Sequence, residues 1–313
     1  MERGATRHLR REQIAARLSR SGQWLADIPE DVLRQAHELT ISADLETLRQ
    51  RIPEMSQVVY LGLKLEGSAL PAELYALERL RHLTLWHAVT ELPPGIARLR
   101  ELRGLWLGGN RIRRLPADIT ALRQLEDLRI GHNELSETPP EVFELAGLRI
   151  LMLHRNNLTE LPAEVAKLTR LVRLQLEGNQ LTRLPPEIGR LAELELLDVS
   201  GNDLSQLPPQ FGELASLATL DVRNNQLTSF PIELARLRRL TSLDATGNRL
   251  DDPLPELVQR GPDAVLAYLR GLEQDGVPLY EAKVLLVGEG EVGKTSLAEA
   301  LQGHAFQEGR STT

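Results

Sequence analysis

The chain has 313 residues, of which 42% are hydrophobic and 26% charged, and its net charge of −7 gives no overall basic field for nucleic acid. The absence of cysteine excludes disulfides, Cys-ligated zinc and thiol nucleophiles. We expect a cytoplasmic protein, because no stretch approaches the roughly 18–20 apolar residues of a membrane span and the first residues lack a signal-peptide core.

Residues 1–57 are predicted to be mostly helical. Their apolar residues recur at helical spacing, as Ile14 and Leu18 and then as Leu45, Leu48 and Ile52. We interpret this segment as an N-terminal helical cap that covers the apolar end of the array that follows. An independent small interaction module is the alternative.

A 23-residue period runs through the middle of the chain. Seven asparagines mark it: Asn110, Asn133, Asn156, Asn179, Asn202, Asn225 and Asn248. Around each of them the frame LxxLxLxxNxLxxLPxxIxxLxx recurs, as in LVRLQLEGNQLTRLPPEIGRLAE at residues 171–193. Two earlier units, 58–79 and 80–101, are degenerate, as the terminal units of a stacked array usually are.

This frame resembles the leucine-rich repeats, specifically the 23-residue LPxxI subtype, over about nine units in residues 58–255. The LxLxx part alternates with period 2 and predicts a short strand, and the LPxxIxxL part predicts a helical or 3₁₀ return. One unit cannot bury its own leucines, so we expect an α/β solenoid of stacked units with a parallel sheet on its concave side. The recurrent asparagine is interpreted as structural, because its amide can satisfy the turn backbone of neighbouring units.

Residues between the strand leucines should face solvent on the concave sheet. The middle column runs Thr84, Trp106, Arg129, Met152, Gln175, Asp198, Asp221 and Asp244. Exposed tryptophan and methionine have no folding role there and are favoured in protein interfaces. We therefore predict a protein-partner site on the N-terminal half of this face, formed by Trp86, Trp106, Arg129, Met152, His154 and Arg173.

Two other features of the concave face receive structural interpretations. The aspartate column is interpreted as a common filler of this repeat type rather than as a site. The histidines His82, His87, His132 and His154 come from successive repeats, and a metal site would require them to converge with carboxylates.

Residues 256–280 are predicted to form a C-terminal cap helix and a linker. The helix begins at Gly261-Pro262, with proline in its first turn, and continues as AVLAYLRGL. Leu266, Leu269 and Leu272 lie near one face of this helix, which should cover the last repeat.

The segment KVLLVGEGEVGKTSLAE at residues 283–299 contains the phosphate-binding signature G-x-x-x-x-G-K-[ST] between an apolar strand-like run and a helix-compatible stretch. The loop backbone N–H groups wrap the β-phosphate, the helix N-terminus adds positive charge, and Lys294 reaches the β- and γ-phosphates. Thr295 presents its hydroxyl to Mg²⁺. The predicted nucleotide-binding residues are Gly288, Glu289, Gly290, Glu291, Val292, Gly293, Lys294, Thr295 and Ser296.

The order of a solenoid, a helical linker and the segment EAKVLLVGEGEVGKTSL resembles that of the Roco family. Members of this family carry a Ras-like Roc GTPase domain followed by a COR dimerisation domain. The resemblance implies GTP or GDP with Mg²⁺, and a homodimer formed through the COR domain. It also implies that residues 311–313 begin a switch I segment, with Thr312 as a second candidate for the Mg²⁺ site.

Residues 281–313 hold one expected strand and one expected helix, which is less than a βαβ unit. No aspartate follows Lys294 and no NKxD-type motif is present, so the residues themselves do not distinguish GTP from ATP. We therefore expect an incomplete Roc-like domain, with GTP hydrolysis and its unassigned catalytic residues belonging to a complete one. The alternative is a non-enzymatic interaction scaffold with a remnant phosphate-binding loop.

Overall fold

The fold is built on parallel strands that lie side by side in chain order. The computed structural model describes residues 23–68, 70–86 and 89–275, and within them one sheet has eleven strands in the order β1 to β11. The strands are β1 (Gln23–Trp24), β2 (Glu38–Asp44), β3 (Tyr60–Glu66), β4 (His82–Trp86), β5 (Gly104–Trp106), β6 (Asp127–Arg129), β7 (Ile150–Met152), β8 (Arg173–Gln175), β9 (Leu196–Asp198), β10 (Thr219–Asp221) and β11 (Ser242–Asp244). The predicted solenoid with a parallel sheet is confirmed.

The chain returns from each strand to the next through a short 3₁₀ helix, usually entered from a proline whose missing N–H needs no partner there. The 3₁₀ segments of the described residues are Leu25–Asp27, Ile52–Met55, Ala72–Ala76, Ile96–Arg98, Ala117–Ala121, Pro140–Glu144, Ala163–Lys167, Pro186–Arg190, Pro209–Glu213 and Ile232–Arg236.

The core lies between the sheet and the 3₁₀ layer and consists mainly of leucine. The central leucines of successive strands pair directly, so that Leu128 lies between Leu105 and Leu151, and all three are fully buried. A single repeat would expose these side chains to water on both sides. Stacking removes that apolar surface from water at about 25 cal/mol per Å², which is the main force holding the array together.

The N-terminal segment contributes strands as well as helices, which differs from the mostly helical prediction for residues 1–57. Helix α1 (Glu30–Leu33) and helix α2 (Leu45–Arg51) are present, and Asp44 caps α2 by accepting from the Thr47 backbone N–H at 2.8 Å. However, β1 and β2 extend the sheet before residue 58. The sequence ELTISAD of β2 alternates between buried and part-exposed residues, and this period of 2 favours a strand. Positions 14 and 18 lie outside the described residues.

Within the described residues two helices follow β11, α3 (Leu254–Gln259) and α4 (Pro262–Asp275). Helix α4 packs against the last 3₁₀ segment and buries Leu266 and Leu269, the face expected from the sequence. An ion pair of 3.2 Å between Arg236 and Glu273 also joins the two elements. None of the helices within 23–68, 70–86 and 89–275 is long and apolar enough to cross a membrane. The predicted phosphate-binding loop at 288–296, and Thr312, lie outside the described residues.

Candidate protein-binding face

The predicted middle column forms one continuous row on the concave face. Backbone register places Thr84, Trp106, Arg129, Met152, Gln175, Asp198, Asp221 and Asp244 side by side on β4 to β11. Because side chains alternate along a strand, the residues two positions before this row share its face. That second row runs Tyr60, His82, Gly104, Asp127, Ile150, Arg173, Leu196, Thr219 and Ser242.

Trp106 lies at the centre of a cluster of aromatic and charged side chains. Its indole N–H donates to Asp127 Oδ2 at 3.0 Å, and the Arg129 guanidinium carbon lies 4.3 Å from the ring centre. The rings of Tyr60 and His82 meet the indole edge-on, with centres 6.3 and 6.4 Å away. Such edge-to-face and cation–π contacts hold the indole in one orientation.

Trp86 and Trp106 are half-buried, which corrects the expectation that they are exposed and have no folding role. Among the described residues, Trp24 is the exposed large hydrophobic residue, with 40% of its surface accessible. Trp86 lies over Gly62 on the neighbouring strand, where an added Cβ would come within 2.8 Å of the indole. His82 covers Gly104 in the same way, with 2.5 Å to an added Cβ. The glycines therefore leave room for rings that lie along the sheet.

The remaining predicted partner residues lie on β7, on β8 and in the turn after β7. Met152 is half-buried beside Arg129, and Arg173 is exposed two strands away from Asp127. The Arg173 side chain forms no ion pair with any other residue that the structure describes. His154 belongs to a separate pair with His132, whose rings meet edge-on at 5.2 Å.

Burial lowers the pKa of His154, and the neighbouring charges of His132 and Arg155 lower it further. The opposite shift occurs in the next repeat, where burial and then the Asp198 carboxylate raise the pKa of Glu177 to about 7. His154 Nδ1 and Glu177 Oε2 are buried without a hydrogen-bond partner. Within the described part of the chain no group of three or more potential ligands could hold a metal ion.

The aspartates of β9 to β11 cap the turns that follow their strands. Asp198 Oδ1 accepts from the backbone N–H of Ser200 at 3.0 Å, and Asp244 Oδ1 accepts from that of Thr246 at 3.1 Å. Asp221 holds Arg223 through both carboxylate oxygens. These contacts favour a structural interpretation of the acidic column, because turn backbone groups are satisfied by it.

The asparagine ladder satisfies the buried turns of neighbouring repeats. Asn179 Nδ2 donates to the carbonyl oxygens of Leu153 at 3.1 Å and Leu176 at 2.9 Å. Its Oδ1 accepts from the backbone N–H groups of Asn156 at 3.2 Å and Leu158 at 3.1 Å. The asparagine therefore joins two repeats rather than facing a ligand.

Sequence reasoning left three members of the aromatic and charged cluster out of the partner site: Tyr60, Asp127 and His82, the last considered only as a metal ligand. They lie in the second row of the concave face, two residues before the row that drew attention. Counting back two positions from Thr84 and Arg129 would have found His82 and Asp127, because residues i and i−2 share a face of a strand. Tyr60 pairs with His82 from β3, one strand before the column begins.

Residues 123–181, 146–204 and 192–250 match the leucine rich repeat family. No curated protein matches the chain. Among solved structures, the chain is similar to a leucine-rich-repeat protein of Leptospira interrogans, with 25% identity and a TM-score of 0.54 over 74% of this chain and 78% of that one. These matches do not show the Roco resemblance.

Two plant receptors show the same likeness over part of their length. The plant peptide hormone receptor RGFR1 in complex with RGF2 is 25% identical, with a TM-score of 0.58 over 73% of this chain and 37% of that chain. The membrane receptor kinase GASSHO1/SCHENGEN3 from Arabidopsis thaliana, in complex with CASPARIAN STRIP INTEGRITY FACTOR 2, is 29% identical, with a TM-score of 0.56 over 74% of this chain and 32% of that chain. This chain thus spans about a third of each receptor structure. Residues 123–250 thus match leucine-rich repeats, and the sheet continues the same stacked arrangement before them.

Proposed function

We propose that the N-terminal half of the concave face binds a protein segment, with Trp106 at its centre. The observation that carries this proposal is the ordered cluster of Trp106 with Asp127 and Arg129, on the open face of a sheet. Tryptophan and arginine are the residue types that contribute most to binding energy in protein interfaces. The two plant receptors that resemble this chain are each in complex with a partner, which supports an interaction role.

The fixed orientation of the side chains in the cluster matters for affinity. A side chain that becomes fixed only on binding loses about 0.5–1.5 kcal/mol of rotamer freedom at that step. Trp86 lies along the sheet against Gly62, and Trp106 is held by contacts on several sides. Both indoles therefore present apolar area to a partner with little further loss of freedom.

The double variant Trp86→Ala and Trp106→Ala is expected to remove specific partner capture in a quantitative pull-down. Because both indoles are half-buried, each substitution should also lower the free energy of unfolding by about 1–2 kcal/mol. Chemical denaturation would measure that loss and show that the captured protein is still folded. Trp24→Ala is the matched control, since Trp24 lies on β1, three strands from Trp86, and its loss should leave capture intact. Unchanged capture by the double variant would contradict the site.

We also propose, from the sequence resemblance, a nucleotide-binding role for residues 288–296 in a Roco-type regulatory protein. The motif GEGEVGKT is the observation that supports it. In a complete Roc domain the loop would hold the phosphates of GTP or GDP, with Lys294 near the β- and γ-phosphates and Thr295 on Mg²⁺. Thr312 is the second candidate for the Mg²⁺ site. The solenoid would then bias the nucleotide cycle through its partner.

Fluorescent GTP provides the test of this second proposal. The 313-residue chain is expected to show no micromolar binding, because it lacks an aspartate after Lys294 and a base-reading motif. A longer product of the same reading frame, carrying DxxG and NKxD-like motifs, should bind, and Lys294→Ala should abolish that binding. Micromolar binding by the 313-residue chain would contradict the incomplete site, and a stop codon directly after Thr313 would favour the scaffold alternative.

A further inference from the structure

Asp127 fixes the side chains of Trp106 and Arg129 at the centre of the docking face, the N-terminal half of the concave face proposed above to bind a protein segment. Its Oδ2 accepts from Trp106 Nε1 at 3.0 Å and from Arg129 Nη2 at 2.7 Å, and its Oδ1 accepts from Arg129 Nε at 2.9 Å. The Asp127 side chain is 17% exposed and the Arg129 side chain 35%. One part-buried carboxylate thus orients an indole and a guanidinium that also stack on each other.

This arrangement decides which groups are left for a partner. The indole N–H is already satisfied, so Trp106 offers only its apolar ring surface. Arg129 uses Nε and Nη2 on Asp127, while its Nη1 has no hydrogen-bond partner among the described residues. A guanidinium presents its N–H groups in a fixed planar fork, so fixing one edge also fixes the direction of the free one.

The surroundings of Arg129 favour an anionic group beside an apolar one. Arg129 on β6 and the exposed Arg173 on β8 flank Ile150 and Met152 on β7, so two cations border two part-buried apolar side chains. The other end of the face carries a net negative charge, from three aspartates on β9 to β11 against Arg223, which pairs with two of them. Like charges repel a carboxylate there, which directs it to the half that holds Arg129.

We propose that Asp127 is the positioning residue of the docking face and that the partner is an extended protein segment bearing an Asp or Glu carboxylate next to an apolar side chain. The carboxylate meets the free edge of Arg129, and the apolar side chain packs on Trp106 and Met152. This inference rests on the proposed concave-face function and names the partner chemistry that the face selects.

Two synthetic peptides serve as probes, acetyl-(Asp-Leu)₄-amide and acetyl-(Lys-Leu)₄-amide, with binding to the whole chain measured by calorimetry. The acidic peptide should bind more tightly than the basic one. Asp127→Asn removes a negative charge close to Arg129, so charge alone would strengthen binding of the acidic peptide. Loss of positioning predicts the opposite, a weakening of about tenfold, the scale of one charge-assisted hydrogen bond. The two explanations therefore differ in sign.

Matched variants complete the experiment. Asp203→Asn makes the same charge change where the carboxylate accepts from Gln226, away from the cluster, and should leave binding unchanged. Arg129→Lys keeps the charge but loses the planar fork, so it should weaken binding as Asp127→Asn does, and it keeps the test valid if Asp127→Asn fails to fold. In a chain carrying Trp24→Phe and Trp86→Phe, Asp127→Asn should also shift the fluorescence of Trp106, the last of the three tryptophans.

The inference is overturned if Asp127→Asn leaves binding of the acidic peptide unchanged or strengthens it, if the basic peptide binds equally well, or if neither peptide binds. Its failure differs from that of the proposed function. If the double tryptophan variant loses partner capture while Asp127→Asn keeps it, the docking face stands and the role of Asp127 falls. If neither variant affects capture, both fall.

Discussion

Replacing Asn179 by alanine is expected to lower the free energy of unfolding by about 3–5 kcal/mol, because two buried backbone N–H groups lose their only partner and two carbonyls lose one of their two side-chain donors. They are the carbonyls of Leu153 and Leu176 and the N–H groups of Asn156 and Leu158. Asn179 is 7% exposed, so water reaches these groups poorly. Each buried polar group left unpaired costs about 1–3 kcal/mol, less whatever local relaxation recovers.

The last rung of the same ladder is a matched comparison. Asn248 is part-buried and makes three such bonds, donating to Val222 and Ala245 and accepting from Leu227. Asn248→Ala should therefore cost clearly less than Asn179→Ala, and the exposed Gln180→Ala should stay within about 0.5 kcal/mol of the wild type. Urea unfolding followed by circular dichroism gives all three values. Equal losses at Asn179 and Asn248 would contradict the argument from burial.

The position of Asn179 in the array adds a second expectation to this measurement. In a stacked array the stability is the sum of the units and of the interfaces between neighbours. Asn179 joins the unit that contains β7 to the unit that contains β8, near the middle of the sheet. Weakening this interface should broaden the unfolding transition, because the two halves of the array then unfold less cooperatively.

The repeated part of the fold could be predicted from sequence because each unit obeys the same local constraints. The leucine spacing specifies the strand and its buried face, and proline marks the 3₁₀ return. The asparagine specifies the turn. The strands β1 and β2 were not predicted, since the seven residues of β2 stand alone, outside the 23-residue frame, and next to a true helix at Leu45–Arg51. Only pairing with β3 shows that they belong to the sheet.

The candidate site was predictable in its members but not in its organisation. The period placed Trp106, Arg129 and Met152 in one row, as the register shows. Periodicity carries no information on how side chains lie across strands, so it did not reveal that Trp86 occupies the space over Gly62. Nor did it single out Asp127, because one aspartate in a repeat rich in charged residues has no distinctive pattern. The contact of its carboxylate with two neighbouring side chains exists only in the folded sheet.

Phe211→Ala is expected to lower the free energy of unfolding by about 3–5 kcal/mol, the usual cost of deleting a buried aromatic ring. Phe211 is fully buried in the 3₁₀ segment Pro209–Glu213, at the position where the frame usually has isoleucine. The cavity should close poorly, because the adjacent Gly212 already lies so close to the next turn that an added Cβ would meet the Glu233 carbonyl oxygen at 2.4 Å. Phe211→Leu keeps most of the volume and should cost less than about 1.5 kcal/mol.

Phe211→Ala also distinguishes an effect on stability from an effect on partner binding. Phe211 lies in the connection between β9 and β10, at least four strands from Trp106 on β5, so below its unfolding temperature Phe211→Ala should capture the partner as the wild type does. Thermal unfolding and pull-down of the same sample give the two results. If capture is lost while the array remains folded, the docking face extends to the C-terminal repeats and is not centred on Trp106. Retained capture despite the loss of stability would show that the two properties belong to different layers of the molecule. The leucine core holds the repeats together, and the concave face of the sheet meets the partner.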